Sequence, residues 1–323
     1  MKKLKDVRAV KMNPLVSIIV PAFNEELVIL EMYKRLKAIL EDHQYPFEII
    51  IVNDGSTDKT IDLVRTLCKR DRRVKLISFS RNFGHQIAIS AGIDRAKGDV
   101  AIIIDADLQD PPEVIPRMIE KWAEGYDVVY GVREKRKGES VFKKVTASLF
   151  YRILEKMAPI EIPLDTGDFR LLDRKVVDEL RKMPERSRFL RGMVSWVGFR
   201  QVNVKYVREE RYAGVSKYPL PKMLNFAIDG ILSFSTVPLR VASALGFLAA
   251  SLSFVLLMYG LIVRFFYPAK AIPGWASIFV AVLFIGGVQL ICIGILGEYL
   301  GRVYEETKGR PLYIISELLN FDE

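Results

Sequence analysis

Asp99-Val100-Ala101-Ile102-Ile103-Ile104-Asp105-Ala106-Asp107-Leu108-Gln109-Asp110-Pro111-Pro112 begins as an unbroken apolar run and ends in carboxylates and a carboxamide. Val100 to Ile104 lacks polar alternation, which suits a strand buried on both faces of a parallel sheet. Acids just past the C-terminal end of such a strand lie where open α/β sheets bind ligands. Asp105 and Asp107 are one residue apart, so around a turn both can aim oxygens at one hard cation. Mg²⁺ and Mn²⁺ take such oxygens and share them with substrate phosphates. Taken alone, the triplet Asp105-Ala106-Asp107 is equally an ordinary acidic turn.

The flanking sequence repeats the pattern. Val16-Ser-Ile-Ile-Val-Pro-Ala-Phe-Asn-Glu-Glu26 reads as a buried strand running into a helix start, with Glu25 and Glu26 favoured by the helix dipole. A helical stripe follows at Leu27, Leu30, Tyr33, Leu36, Ile39 and Leu40. The second strand, Phe47 to Asp54, leads into Gly55-Ser56-Thr57-Asp58, where Ser56 or Thr57 is expected to cap a helix over Lys59–Lys69. A third strand, Val74 to Phe79, enters Ser80-Arg81-Asn82-Phe83-Gly84-His85. A helix from about Gln86 to Ala96 is expected to end with Gly98 as its C-cap. After the opening strand, Tyr126 to Tyr130 makes another. Strands alternating with helices predict an α/β fold with a mostly parallel, Rossmann-like sheet. Asn24/Glu25, Asp54 and Asp105/Asp107 then converge on one sheet edge. Pro-Ala-Phe-Asn-Glu stands where a dinucleotide-binding G-x-G-x-x-G would be, which argues against a dehydrogenase.

Composition narrows the partners. The chain has 323 residues, is half hydrophobic and carries a formal net charge of +9, so an anionic partner is expected. Cys68 and Cys292 make neither a disulfide framework nor a zinc site, and His43 and His85 are too few for a histidine-rich metal centre. The basic Met1-Lys-Lys-Leu-Lys start lacks the apolar core of a signal peptide. The basic residues lie beside the segments expected to meet a membrane and lack a recognisable nucleic-acid motif, so no nucleic acid is expected.

Residues 1–15 form a basic N-terminal segment and 16–218 the catalytic domain. Within it, Phe142 to Met157 has the spacing of a basic amphipathic helix, able to lie on a membrane or cover the core. Ile162-Pro-Leu-Asp165-Thr166-Gly167-Asp168-Phe169-Arg170 places two further acids beside a glycine turn. Residues 219–239 look like an interfacial helix. Val241–Val263 and Ala276–Gly297 contain no charged residue and match the roughly 20 residues needed to cross a bilayer. They predict a transmembrane hairpin within 240–298, followed by a tail at 299–323. Lys217, Lys222 and Arg240 before it, and Arg302, Lys308 and Arg310 after it, outnumber Arg264 and Lys270 in the loop. The positive-inside rule therefore places the catalytic domain and tail in the cytoplasm, in a multi-pass protein of the inner or plasma membrane.

Val-Pro-Ala-Phe-Asn-Glu-Glu, Val-Asn-Asp-Gly-Ser-Thr-Asp, Asp-Ala-Asp-Leu-Gln-Asp-Pro-Pro and the terminal hairpin resemble family-2 glycosyltransferases of the polyprenyl-phosphate type. Arg188-Phe-Leu-Arg-Gly192, Ala213-Gly-Val-Ser-Lys-Tyr218 and Leu296-Gly-Glu-Tyr-Leu-Gly-Arg302 are similar to the bacterial undecaprenyl-phosphate branch, related to the dolichyl-phosphate mannose synthases. The resemblance spans nearly the whole chain after the first fifteen or so residues. It implies a GT-A fold, a nucleotide-sugar donor with UDP favoured, a polyprenyl phosphate acceptor in a lipid bilayer, Mg²⁺ or Mn²⁺, and a homo-oligomer such as a tetramer.

Carried onto these residues, the resemblance implies that Pro21, Phe23, Asn24 and Glu25 frame the nucleotide, with Asp54 on the base and Arg81 and His85 lining the pocket. Asp105 would approach the ribose or the metal shell, Ala106 would line the donor site, Asp107 would ligate the metal, and Gln109 would complete the metal or sugar site. Asp165 and Asp168 match the motif that holds the acceptor or a catalytic carboxylate, with Asp168 favoured. A dianionic lipid phosphate needs cations more than a base. Arg133, Arg136, Arg188, Arg191, Arg208, Arg211 and Lys217 are the candidates. Direct in-line attack predicts inversion at the anomeric carbon. A processive polysaccharide synthase and a non-catalytic nucleotide-sugar-binding protein are the competing readings.

Overall fold

The computed structural model describes residues 13–133, 166–186, 188–207, 235–266 and 275–321. The expected helices at Phe142–Met157 and 219–239 fall wholly or almost wholly outside them, as do Asp165, Arg136, Arg208, Arg211 and Lys217. The chain divides into two compact units, one holding the sheet together with the segment from Arg310 onward, the other holding two long C-terminal helices.

The sheet is built from β1 (Val16–Ala22), β2 (Phe47–Asn53), β3 (Val74–Phe79), β4 (Val100–Ile103), β5 (Val128–Arg133), β6 (Thr166–Asp173), β7 (Gln201–Tyr206) and β8 (Ile315–Leu319). Their order is β7-β5-β6-β4-β1-β2-β3-β8. β1 pairs parallel with β2 and β4, β2 with β3, and β5 with β7. β6 runs antiparallel to both β4 and β5, and β8 antiparallel to β3. The sheet is thus mostly parallel, as expected, but mixed. Every residue of β1, β2 and β3 is buried, which is why their sequences show apolar runs instead of alternation.

The helices are α1 (Ile29–Asp42), α2 (Thr60–Arg70), α3 (His85–Arg95), α4 (Ile115–Ala123), α5 (Arg174–Lys182) and α6 (Leu190–Trp196). Three local expectations need correction. The buried face of α1 is Ile29, Met32, Leu36 and Leu40, while Leu27 and Leu30 are exposed. Its start is fixed by Glu25 N–H donating to Thr60 Oγ1 (2.9 Å) and Glu26 N–H to Asp58 Oδ2 (3.2 Å), which sets the helix phase. Ser56 and Thr57 do not cap α2: Ser56 Oγ accepts from Asn24 N–H (2.9 Å) and Thr57 N–H donates to Asn24 Oδ1 (2.8 Å). Asp58 Oδ1 instead accepts from Thr60 N–H at 3.0 Å. Gly98 is not the C-cap of α3, which Ala96 supplies. Its Cβ would lie 2.5 Å from the Leu15 carbonyl, so close approach to β1 is what requires glycine.

In the second unit, α7 (Val237–Phe266) and α8 (Trp275–Thr307) are long and apolar enough to cross a membrane. They contain the charge-free stretches 241–263 and 276–297. Phe247, Phe254, Phe265 and Phe266 on α7, and Leu290 and Leu300 on α8, are exposed, unlike the side chains of buried core helices. Tyr299 OH donates to Ser235 O (2.5 Å) and Cys292 Sγ to Ala242 O (3.3 Å), so Cys292 packs one helix on the other. The 299–323 segment is more than a tail, because it ends in β8 on the edge of the catalytic sheet.

Candidate active site

The topology explains how one edge gathers the polar residues. Parallel β1, β2, β3 and β4 deliver Asn24, Asp54, Ser80–His85 and Asp105 to the same side. β6 enters that edge from the opposite direction. Its register sets Ile103 opposite Arg170, which carries Asp168 to the level of Asp105. β5 and β7 run with β4, so Arg133 and Tyr206 end there too.

The centre of the site is His85, the first residue of α3. Its Nε2 lies 3.3 Å from Asp105 Oδ1 and 3.4 Å from Asp168 Oδ2. Asp168, only 9 % exposed, also takes Arg191 Nε on Oδ1 at 3.0 Å and Gln86 Nε2 on Oδ2 at 3.1 Å. Gln86 Oε1 in turn accepts from Leu190 N–H (3.1 Å), fastening the start of α6 and hence Arg191. Beneath them Arg170 is buried, donating to Gly167 O at 3.1 Å.

These charges set one another's protonation. Burial penalises the His85 imidazolium, but the Asp105 and Asp168 carboxylates outweigh it and hold its pKa well above the usual histidine range. Burial likewise opposes the Asp168 carboxylate. Arg191, His85 and Arg170 reverse that and hold it far below the usual carboxylate range. Arg170 is pulled down to about 10, chiefly by burial. Asp168 is therefore a fixed anion among cations.

A second cluster adjoins. Asp110, almost fully buried, accepts from Tyr206 OH, and Arg133 Nη2 lies 3.4 Å from Asp110 Oδ1. Burial works against the Arg133 guanidinium, but Asp110 keeps it firmly charged. Gly167 lies against the same guanidinium, and a Cβ there would stand 2.7 Å from Arg133 Nη2, so a larger residue would make the arginine end shift.

The residues beyond β1, β2 and β3 are tied together through backbone groups. Asp54 Oδ1 accepts from Phe83 N–H (2.7 Å) and Oδ2 from Gly84 N–H (3.0 Å), and burial raises its pKa despite these bonds. Arg81 lies over the Phe83 ring at 4.0 Å and donates to Asn82 O at 2.9 Å. Pro21 is buried at the end of β1, Phe23 is half-buried beyond it, and Asn24 adopts a left-handed φ of 54°. Asp107 Oδ1 accepts from Gln109 N–H at 3.1 Å, closing the turn after Asp105 and the buried Ala106. Leu108 sits in that turn at φ 58°, a strained position for a branched side chain, and is pinned by burial.

Of the candidate cations, Arg191 and Arg133 enter the site. Arg188 turns to Met183 O (2.7 Å) and Glu185 O (3.2 Å), holding the turn before α6. Gln86, Arg170, Asp110 and Tyr206 are site residues that sequence reasoning missed. The first three stand beside or within quoted motifs. Tyr206 carries no local signal at all.

The donor set fits a hard divalent cation. Asp105 Oδ1 is buried without a well-formed hydrogen bond, and Asp107 and Gln109 add oxygen ligands of the right chemistry. Among the described residues no group of three His, Cys, Asp or Glu could enclose a metal ion.

Comparison with known proteins agrees with this geometry. The pattern of "Glycosyl transferase family 2" matches residues 17–181. The uncharacterized glycosyltransferase YkcC of Bacillus subtilis (strain 168) is 54 % identical over 301 residues, 93 % of each chain. The SfII prophage-derived bactoprenol glucosyl transferase of Shigella flexneri is 46 % identical over 304 residues, 94 % of this chain and 97 % of its own. The prophage bactoprenol glucosyl transferase homolog of Escherichia coli (strain K12) is 45 % identical over 305 residues, 94 % of this chain and 99 % of its own. With its GT-A-like mixed sheet and acid-ended strands, the chain is a glycosyltransferase and belongs to glycosyltransferase family 2.

Proposed function

We propose that the protein transfers one glucosyl unit from UDP-glucose to a polyprenyl phosphate at the cytoplasmic face of a membrane, with inversion and with Mg²⁺ or Mn²⁺. The observation that carries this reading is the cluster at the strand ends, where two carboxylates and two cations converge: Asp105, His85, Asp168 and Arg191. The relatives named as bactoprenol glucosyl transferases support the sugar and the acceptor.

The chemistry follows from charge. An acceptor phosphate oxygen attacks the anomeric carbon, the bond from that carbon to the diphosphate oxygen breaks, and UDP departs with the electron pair. The acceptor's second pKa is near 6, so at neutral pH it is largely dianionic and attacks without a general base. Asp168 is assigned as the anchor that positions Arg191 and His85, a role that its low pKa suits better than proton abstraction. Arg191 and Arg133 are assigned to the phosphates, where guanidinium forks fit the oxygens. Arg136, Arg208, Arg211 and Lys217 are assigned to the same acceptor.

Asp107, with Asp105 and Gln109, would hold the metal ion, which when bound neutralises the departing diphosphate. Asp54, Asn24 and Glu25 shape the nucleotide side. The hairpin of α7 and α8 is assigned to the bilayer. The cation-rich flanks argue for a cytoplasmic catalytic domain, and the pairing of β8 with β3 after the two helices supports a two-span hairpin.

Asp107→Ala tests the metal assignment. Transfer should fall at least about a hundredfold, with unchanged circular dichroism. A variant as fast as the parent removes Asp107 from the metal site.

A further inference from the structure

The chain that leaves α8 returns to the sheet beside the loop Ser80–His85. β8 pairs with β3 from Leu76 opposite Leu319 to Phe79 opposite Ile315, with an irregularity between Ser78 and Phe79. Just ahead of β8, Ile314 O accepts from Ser80 N–H at 3.0 Å, and Ser316 Oγ donates to Ser78 O at 3.0 Å. The side chains of β8 are only half-buried or exposed, so the strand adds little to the core.

What the segment does hold is Tyr313. Its ring stacks on Phe79 with centroids 5.0 Å apart and planes at 23°. Phe79 meets Phe83 edge-on at 5.6 Å, and Arg81 lies over Phe83. The Tyr313 hydroxyl donates to Asp94 Oδ2 at 3.0 Å, on the helix that His85 begins. Tyr313 therefore grips the strand that enters the loop and the helix that leaves it, while Asp54 holds the loop's amides from the β2 side. Stacked and edge-on aromatic contacts are orientation-specific, so this chain of rings transmits a position and not merely bulk.

We propose that Tyr313 is a positioning residue for the nucleotide-sugar donor, setting the Ser80–His85 loop through Phe79 and Asp94 without touching substrate. The proposal rests on the reading above, in which Arg81 and His85 face a nucleoside diphosphate sugar. A displaced binding group weakens productive binding steeply with distance.

The test uses the full chain in detergent micelles, comparing Tyr313→Phe, which keeps the stack, with Tyr313→Leu, which loses it. Amide hydrogen exchange, melting temperature, and donor KM and kcat with UDP-glucose are measured on each. For Tyr313→Leu, exchange should quicken across Ser80–His85 with β1 and β2 unchanged, and donor KM should rise roughly tenfold with a smaller change in kcat. Tyr313→Phe should fall between it and the parent. Parental loop protection in Tyr313→Leu, or a lower melting temperature with donor KM unmoved, overturns the proposal. Absence of transfer by the parent protein would sink the glucosyltransferase reading instead, and the exchange data would still decide the role of Tyr313.

Discussion

Asp168 touches three side chains that no single motif contains: His85, Gln86 and Arg191. Replacing it by asparagine removes the carboxylate that offsets the burial of Arg170 and that accepts from Arg191 Nε. Breaking a buried pair in this way costs about 3 kcal/mol, so Asp168→Asn should lower the denaturation midpoint as well as kcat. Unchanged stability would mean that Arg170 finds another partner. His85 came with the family resemblance. The placement of Asp54, Asp105 and Asp107 at one sheet edge was legible in the sequence because each stands just beyond an apolar run that announces a buried strand. Gln86, Arg170, Asp110 and Tyr206 were not. Their contacts depend on β6 entering backwards and on β7 lying outermost, and periodicity does not reveal strand direction or order.

Loops at the strand ends carry the site, and glycine fixes how closely they approach. Gly55 has φ +69°, and a Cβ there would fall 2.4 Å from the Arg81 backbone carbon. Gly55→Ala therefore meets both backbone strain and a clash, and should destabilise the fold by roughly 2 kcal/mol or more. A chemical-denaturation series measures it, and a change below about 0.5 kcal/mol would contradict the geometry. Asp71, between α2 and β3, provides a pH-dependent counterpart. Its carboxylate accepts from Arg73 N–H (3.0 Å), Arg73 Nη2 (2.7 Å) and Tyr33 OH (3.1 Å). The Arg73 hydrogen bonds lead in lowering its pKa from 3.8 to about 2. A depressed carboxylate stabilises the fold above its unfolded pKa and loses that contribution as pH falls through its folded pKa. Between about pH 4 and pH 2 the parent should thus lose stability that Asp71→Asn never had, and parallel acid profiles would refute it. α1 shows the limit of reading elements from sequence. Its existence was evident, but its buried face was set by tertiary bonds from Glu25 and Glu26 to residues 58–60.

Taken whole, the chain contains a glycosyltransferase sheet and two exposed apolar helices, and the segment after them adds β8 to the sheet. Arg65 pairs with Glu317 at 2.7 Å, and Asn320 Nδ2 donates to Cys68 O and Val74 O at 2.8 Å, so the end of the chain is fastened to the catalytic unit. The two long apolar helices were legible because their charge-free stretches have bilayer length. The return strand was not, because Ile315–Leu319 is a short edge segment whose partner lies more than two hundred residues away. On the proposed function, the protein should make one product: polyprenyl phosphate bearing a single hexose. The direct measurement is mass spectrometry of the lipid formed when the purified protein, Mn²⁺ and undecaprenyl phosphate are incubated with UDP-glucose. One added hexose per lipid phosphate is the predicted result. A polymeric product, or bound donor with no glycosylated lipid, would contradict it.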